Sequence, residues 1–195
     1  MKRRLRKKPL FVLGLALVVI AVAVIWRGQA RRFPRGIVIH HSAGQMWEGG
    51  RAVGAEDIDR WHAERGFRTV FEEKTYHIGY HYVIRGDGKI EAGLPEKCWG
   101  SHAKRGNDRL GICVIGDFSS RDNRLGAKGP VRPTPEQMRS LLDLCRSLLA
   151  RRHLPVSSIR THRQVDGDTE CPGDRFPLAE LLAGLRAAPR EGRGR

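Results

Sequence analysis

Four cysteines in 195 residues are too few for the disulfide framework that staples a small secreted scaffold. If one of Cys98, Cys113, Cys145 and Cys171 binds a metal, at most one disulfide remains among the others. Cys113, in an apolar strand-like stretch, and Cys145, on a helix, read as small buried apolar residues. No internal repeat is visible, which excludes a solenoid or propeller. No recognisable nucleic-acid-binding motif is present either, so the basic charge is not a nucleic-acid signature. Nor is there length for two comfortable domains: 195 residues supply one core of real size.

What is there begins with a charged N-terminus. Lys2, Arg3, Arg4, Arg6, Lys7 and Lys8 stand without an acid between them, and an unbroken apolar run follows from Leu10 to Trp26. As a helix that run is about 25 Å long, near the lower limit for a hydrocarbon core of about 30 Å. Residues 10–26 therefore read as a membrane anchor, with Trp26 suited to the interface. Ala21-Val22-Ala23 resembles a small-x-small cleavage site and keeps a signal segment open. Both readings export the remainder. The heavier basic cluster precedes the run, which leaves the N-terminus in the cytoplasm and the domain outside, in the periplasm or cell envelope. The whole chain carries 36 basic against 21 acidic residues. Seven of the basic ones lie in the first thirty positions, so the exported part keeps a surplus that suits anionic envelope polymers or lipid headgroups.

Residues 1–35 thus form the basic N-terminus, the anchor or signal segment and a linker. A domain over 36–188 and a disordered basic tail over 189–195 follow. Gly36 to Ser42 reads as a buried β-branched strand. Ala55 to Glu64 has helical spacing, while Arg65 to Thr75 reads as a loop without assignment. Ile78 to Ile84 and Lys89 to Ala92 are strands joined across Gly86-Asp87-Gly88, a hairpin signal, and Gly111 to Ile115 is another core strand. Ser119 to Val131 is a polar surface loop. Thr134, Pro135 and Gln137 then open a helix as N-cap, first helical residue and capping-box partner. Its apolar stripe runs through Met138, Leu141, Leu142, Cys145, Leu148 and Leu149 to about Arg152. A last helix covers Leu178 to Ala187. The fold class is α/β: one domain with a mixed central sheet flanked by helices.

Three metal-competent groups stand in suggestive places. His40 and His41 end a buried strand, His162 follows the long helix, and Cys171 lies in Glu170-Cys-Pro-Gly173. Two imidazoles and a thiolate, with a fourth position for water, is a catalytic zinc arrangement, and no fourth protein ligand accompanies them. Spacing alone does not decide the matter, because eight histidines in a chain of this length is ordinary.

These residues carry a resemblance. The chain is similar to the N-acetylmuramoyl-L-alanine amidase family that includes the zinc amidase lysozyme of phages and the animal peptidoglycan recognition proteins. The matching pieces are Ile37-Val-Ile-His-His-Ser-Ala43, Trp61-His-Ala-Glu-Arg-Gly66, Ile78-Gly-Tyr-His-Tyr-Val-Ile84 and Asp87-Gly-Lys-Ile-Glu91. They continue with Gly100-Ser-His-Ala-Lys104 and Asn107, Ile115-Gly-Asp-Phe118, Pro133-Thr-Pro-Glu-Gln137, and His162-Arg to Cys171-Pro-Gly173.

The resemblance implies that Zn2+ is held by His40, His162 and Cys171, with His41 a neighbour or a structural residue. The His-to-Cys segment is one residue longer than the family form, which leaves Asp166 and Asp168 as alternatives, although Cys-Pro-Gly favours Cys171. Tyr80 matches the tyrosine beside the metal, and packing in a strand is its other reading. Thr169 stands where the phage form has a lysine and active recognition proteins have threonine. His102 and Asn107 match groove residues, implying substrate contact, with a structural role the alternative for His102. His62, His77, His81 and His153 read as structural or solvated. The implied reaction is cleavage of the amide between N-acetylmuramic acid and L-alanine in peptidoglycan. A membrane-tethered sensor that binds muropeptide without cutting, and a recycling amidase of anhydro-muropeptides, are the rival readings.

Overall fold

Ile37–His41 forms β1, and every residue of it is buried. The β-branched run suits a strand covered on both faces, as the middle of a mostly parallel sheet must be. A computed structural model describes this strand and the rest of residues 33–187. The expected anchor or signal segment at Leu10–Trp26 and the tail 189–195 lie outside those residues. Among the described residues no helix is long and apolar enough to cross a membrane.

After β1 come the short strands β2 (Trp47–Glu48) and β3 (Arg51–Ala52), then helix α1 (Ala55–Glu64). Strands β4 (Thr69–Phe71), β5 (Lys74–Tyr76), β6 (Tyr82–Ile84), β7 (Ile90–Ala92) and β8 (Leu110–Val114) follow. The long helix α2 (Pro135–Arg152), strand β9 (Ile159–Thr161), the short helix α3 (His162–Asp166) and α4 (Leu178–Arg186) complete the chain. The main sheet has the order β7-β6-β8-β1-β9. Strands β6, β8, β1 and β9 are parallel, and β7 pairs antiparallel with β6 at one edge. The expected α/β domain with a mixed central sheet and flanking helices is therefore what forms.

Two expected elements change. The strand from Ile78 shortens to Tyr82–Ile84. Ahead of it, Gly79 O accepts from Ser101 N and Tyr80 O from Leu94 N, both in loops, while His81 N donates to Gly111 O of β8. The stretch read as a loop over 65–75 holds the β4–β5 hairpin. Its turn puts Glu72 and Glu73 at φ 48° and 63°, and two adjacent glutamates carry none of the glycine or asparagine signal such a turn usually shows.

Helix α2 starts as its sequence demands. Gln137 N donates to Thr134 Oγ1, and Thr134 N donates to Gln137 Oε1. The fully buried Gln137 amide also donates to Ile115 O and Ile84 O, closing carbonyls just beyond β8 and at the end of β6. Leu141, Leu144, Cys145, Leu148 and Leu149 form the buried stripe. All four cysteines are free.

The far end of α2 is bolted to the sheet through Glu96. Its carboxylate accepts from Tyr82 Oη, from Arg151 at 3.0 Å and from Arg152 Nε at 3.0 Å. Burial acts to raise this carboxyl, yet the bonds from Tyr82, Arg152 and Arg151 outweigh it and hold it at about 2. A depressed pKa in the fold means stability that is present above the ordinary value near 4.5 and lost as pH falls towards about 2. Since both arginines are partly exposed, screening reduces the full linkage to about 2 kcal/mol. Glu96→Gln should destabilise the domain by about that much at pH 7, and the gap to wild type should narrow below pH 4.5. Denaturant titrations at several pH values read this directly; a gap that stays constant down to pH 3 would remove the assigned role.

Candidate active site

The parallel strands end on one side of the sheet, where crevices for ligands form in such folds. Side chains alternate across a strand, so His40 and His41 point to opposite faces. Strand β9 lies beside β1 with Ile39 opposite Thr161, so a histidine comes next after each of these paired residues. His162 is the first residue of α3, whose N-cap Thr161 accepts from Gln164 N at 3.3 Å. The turn after α3 returns Cys171 to the same place, with Arg163 N donating to Cys171 O at 2.9 Å.

His40, His162 and Cys171 therefore converge, and one donor atom from each lies within 4.8 Å of the others. Cys171 Sγ is 3.7 Å from His40 Nδ1. Tetrahedral zinc with ordinary bond lengths needs about 3.6 Å between such a nitrogen and sulfur. The imidazoles are also committed on their other sides. His162 Nε2–H donates to Asp166 Oδ2 at 2.8 Å, which leaves Nδ1 for a metal. His40 Nε2 meets His102 Nδ1 at 3.0 Å, leaving Nδ1 facing Cys171. A mixed nitrogen and sulfur set of three donors, each imidazole held from behind, fits a zinc ion with an open fourth position.

Burial lowers the pKa of His40, helped by the neighbouring rings of His102, His162 and His41. Both His40 and His102 are thus neutral, the form a metal-binding imidazole needs. Burial also pushes the Cys171 thiol up to about 12, with the His41 amide opposing it. Without a cation that sulfur stays protonated; a bound metal ion inverts the balance and takes the thiolate.

Above these groups opens a cleft of about 410 Å³ walled by His62, Tyr80, His102, Lys104, His162 and Thr169. The Tyr80 ring lies 5.1 Å from the His40 ring. Burial raises the Tyr80 pKa well above its usual value, so the side chain remains a phenol and a donor. Thr169 Oγ1 accepts from Cys171 N at 3.2 Å, which leaves its hydroxyl hydrogen free to turn to the cleft.

The remaining expected residues have other partners. Asp166 accepts from Lys104 N at 2.8 Å, Arg105 N at 2.7 Å and His162, while Asp168 pairs with Lys104. Neither carboxylate joins the donor cluster. Asn107 Oδ1 accepts from His102 N and Ala103 N, and its Nδ2 donates to Ala103 O. His41 Nδ1 accepts from Phe118 N at 3.2 Å, on the side away from His40. His62 Nδ1 accepts from Gly79 N, and the residue lines the cleft. The orienting role of Asp166 was not visible in the sequence; its four-residue spacing from His162 on one helix was the available signal.

Residues 29–174 match the family model for N-acetylmuramoyl-L-alanine amidase. The chain is 36% identical over 121 residues to the endolysin of Escherichia phage T7, covering 62% of this chain and 70% of the endolysin. It is also 36% identical over 110 residues to peptidoglycan-recognition protein LB of Drosophila melanogaster, covering 53% of this chain and 40% of that protein. Among solved structures it is similar to N-acetylmuramoyl-L-alanine amidase LysC from Clostridium intestinale, at TM-score 0.62 and 34% identity over 80% of this chain and 89% of that one. With a family model spanning most of its length and an amidase fold built on the same plan, the chain belongs to the N-acetylmuramoyl-L-alanine amidase family and is an amide hydrolase.

Proposed function

We propose that the protein cuts the amide between the lactyl group of N-acetylmuramic acid and the L-alanine of the stem peptide in peptidoglycan, with one zinc ion held by His40, His162 and Cys171. The single observation that carries this is the convergence of those three donors beneath a cleft walled by Tyr80 and Thr169. Zinc in such a site lowers the pKa of bound water to about 7 and polarises the scissile carbonyl.

The protein supplies the rest. Tyr80 offers a phenol proton to the oxygen that gains charge as the carbonyl is attacked. Thr169 presents a second hydroxyl in the same cleft, a weaker donor than an ammonium group. The imidazoles of His40 and His162 are presented in fixed orientation by their bonds to His102 and Asp166, so little reorganisation is needed during reaction. A sensor that held muropeptide without cutting would not need both the thiolate ligand and the tyrosine, and this chain has both.

Digestion of purified sacculi, followed by mass spectrometry, tests the bond cut. The expected products are free stem peptides with N-terminal L-alanine and an intact glycan, with activity lost to a chelator and restored by Zn2+. Cleavage within the glycan or within the peptide would overturn the reading.

A further inference from the structure

Behind the donor cluster runs a chain of hydrogen bonds with only one consistent set of protons. His102 Nε2 lies 3.1 Å from Arg109 O, and a carbonyl oxygen only accepts. His102 Nε2 must therefore carry the hydrogen. In a neutral ring Nδ1 then accepts, so the contact of 3.0 Å to His40 is a donation from His40 Nε2–H. His40 is left with an unprotonated Nδ1, the atom that faces Cys171 Sγ.

The seat of the His102 ring is built for it. A Cβ at Gly100 would stand 2.3 Å from His102 Cδ2, and one at Gly111 would stand 2.4 Å from the same atom. Both glycines leave the space the ring fills. Asn107 closes the turn that carries His102, accepting from the His102 and Ala103 amides at 2.9 and 3.0 Å. The same turn supplies the Lys104 and Arg105 amides to Asp166, which holds His162.

We propose that His102 is a positioning residue for the metal centre, locking His40 into the Nε2–H tautomer so that Nδ1 is presented beside His162 and Cys171. The inference rests on the zinc reading of the site. It differs from a substrate-contact role, because both ring nitrogens of His102 are spent inside the protein.

Two measurements on the full chain test it. In the metal-free wild type, long-range 1H–15N correlation of the histidine rings should show His40 protonated at Nε2 alone; protonation at Nδ1 would overturn the inference. Zinc affinity, measured by chelator competition, should fall 10- to 100-fold in His102→Phe, the usual loss when a group holding a ligand is removed. His102→Asn, which keeps an acceptor near the place of Nδ1, should recover much of that loss. If His102→Phe does not fold, the tautomer decides. If wild type binds one zinc, Cys171→Ala loses it and a folded His102→Phe binds within about twofold of wild type, this inference fails and the zinc reading stands. A wild type that binds no zinc overturns both.

Discussion

Cys171→Ala should bind almost no zinc and turn over peptidoglycan about a thousandfold more slowly or worse. The site has three protein donors, and the thiolate is its only anionic one. Removing it leaves two imidazoles, which hold zinc far more weakly. Loss of the ion forfeits both the activated water and the polarised carbonyl, several kcal/mol of barrier together. The fold should survive, because the sulfur's structural contribution is a weak bond accepted from His41 N at 3.4 Å, worth about 1 kcal/mol or less. Metal analysis should read about one zinc per chain in wild type. Cys98→Ser is the control, since Cys98 is half-buried and outside the donor cluster. Full zinc occupancy in Cys171→Ala would end the ligand assignment and return attention to Asp166 and Asp168. Their present bonds to Lys104, Arg105 and His162 would then have to break.

Tyr80→Phe should keep zinc and substrate but lose on the order of a hundredfold in turnover, about 3 kcal/mol. The ring packs among His40, His62 and His102, and phenylalanine preserves that packing. What disappears is a proton donor on the wall of the cleft. Burial raises the phenol pKa well above its ordinary value, so the donor keeps its proton at neutral pH. Loss of an interaction made only in the transition state lowers kcat and kcat/KM together and leaves KM nearly unchanged. A raised KM with normal kcat would instead make Tyr80 a substrate-binding residue, and unchanged kinetics would make it packing. Thr169→Lys adds a cation to the cleft lining and should partly rescue Tyr80→Phe if both groups face the same oxygen.

Much of the framework was legible in local signals. The β-branched run into His40 announced β1, because a strand buried on both faces needs continuous apolar residues. Thr134, Pro135 and Gln137 announced α2, because capping is satisfied within four residues. The hairpin at β4–β5 was not legible: Glu72 and Glu73 hold left-handed backbone without residues that favour it. The strand expected from Ile78 failed for a different reason. Its apolar and aromatic pattern is that of a strand, but the carbonyls of Gly79 and Tyr80 accept from the loop amides of Ser101 and Leu94.

The candidate ligands could be named from His40, His162 and Cys171 in their motifs. What the sequence by itself determined were the residue types able to do the chemistry and the elements strong enough to form locally. Only the tertiary structure decided which nitrogen of each imidazole is free, and that Asp166 accepts from His162 and stands outside the donor cluster. It also decided that His102 and Asn107 turn their polar atoms inward. Several of these choices depend on partners 62 residues apart, as His40 is from His102 and Lys104 from Asp166. Capping and strand patterning are satisfied between near neighbours along the chain, whereas the orientation of a buried imidazole is set by whichever carbonyl, carboxylate or ring the fold brings behind it.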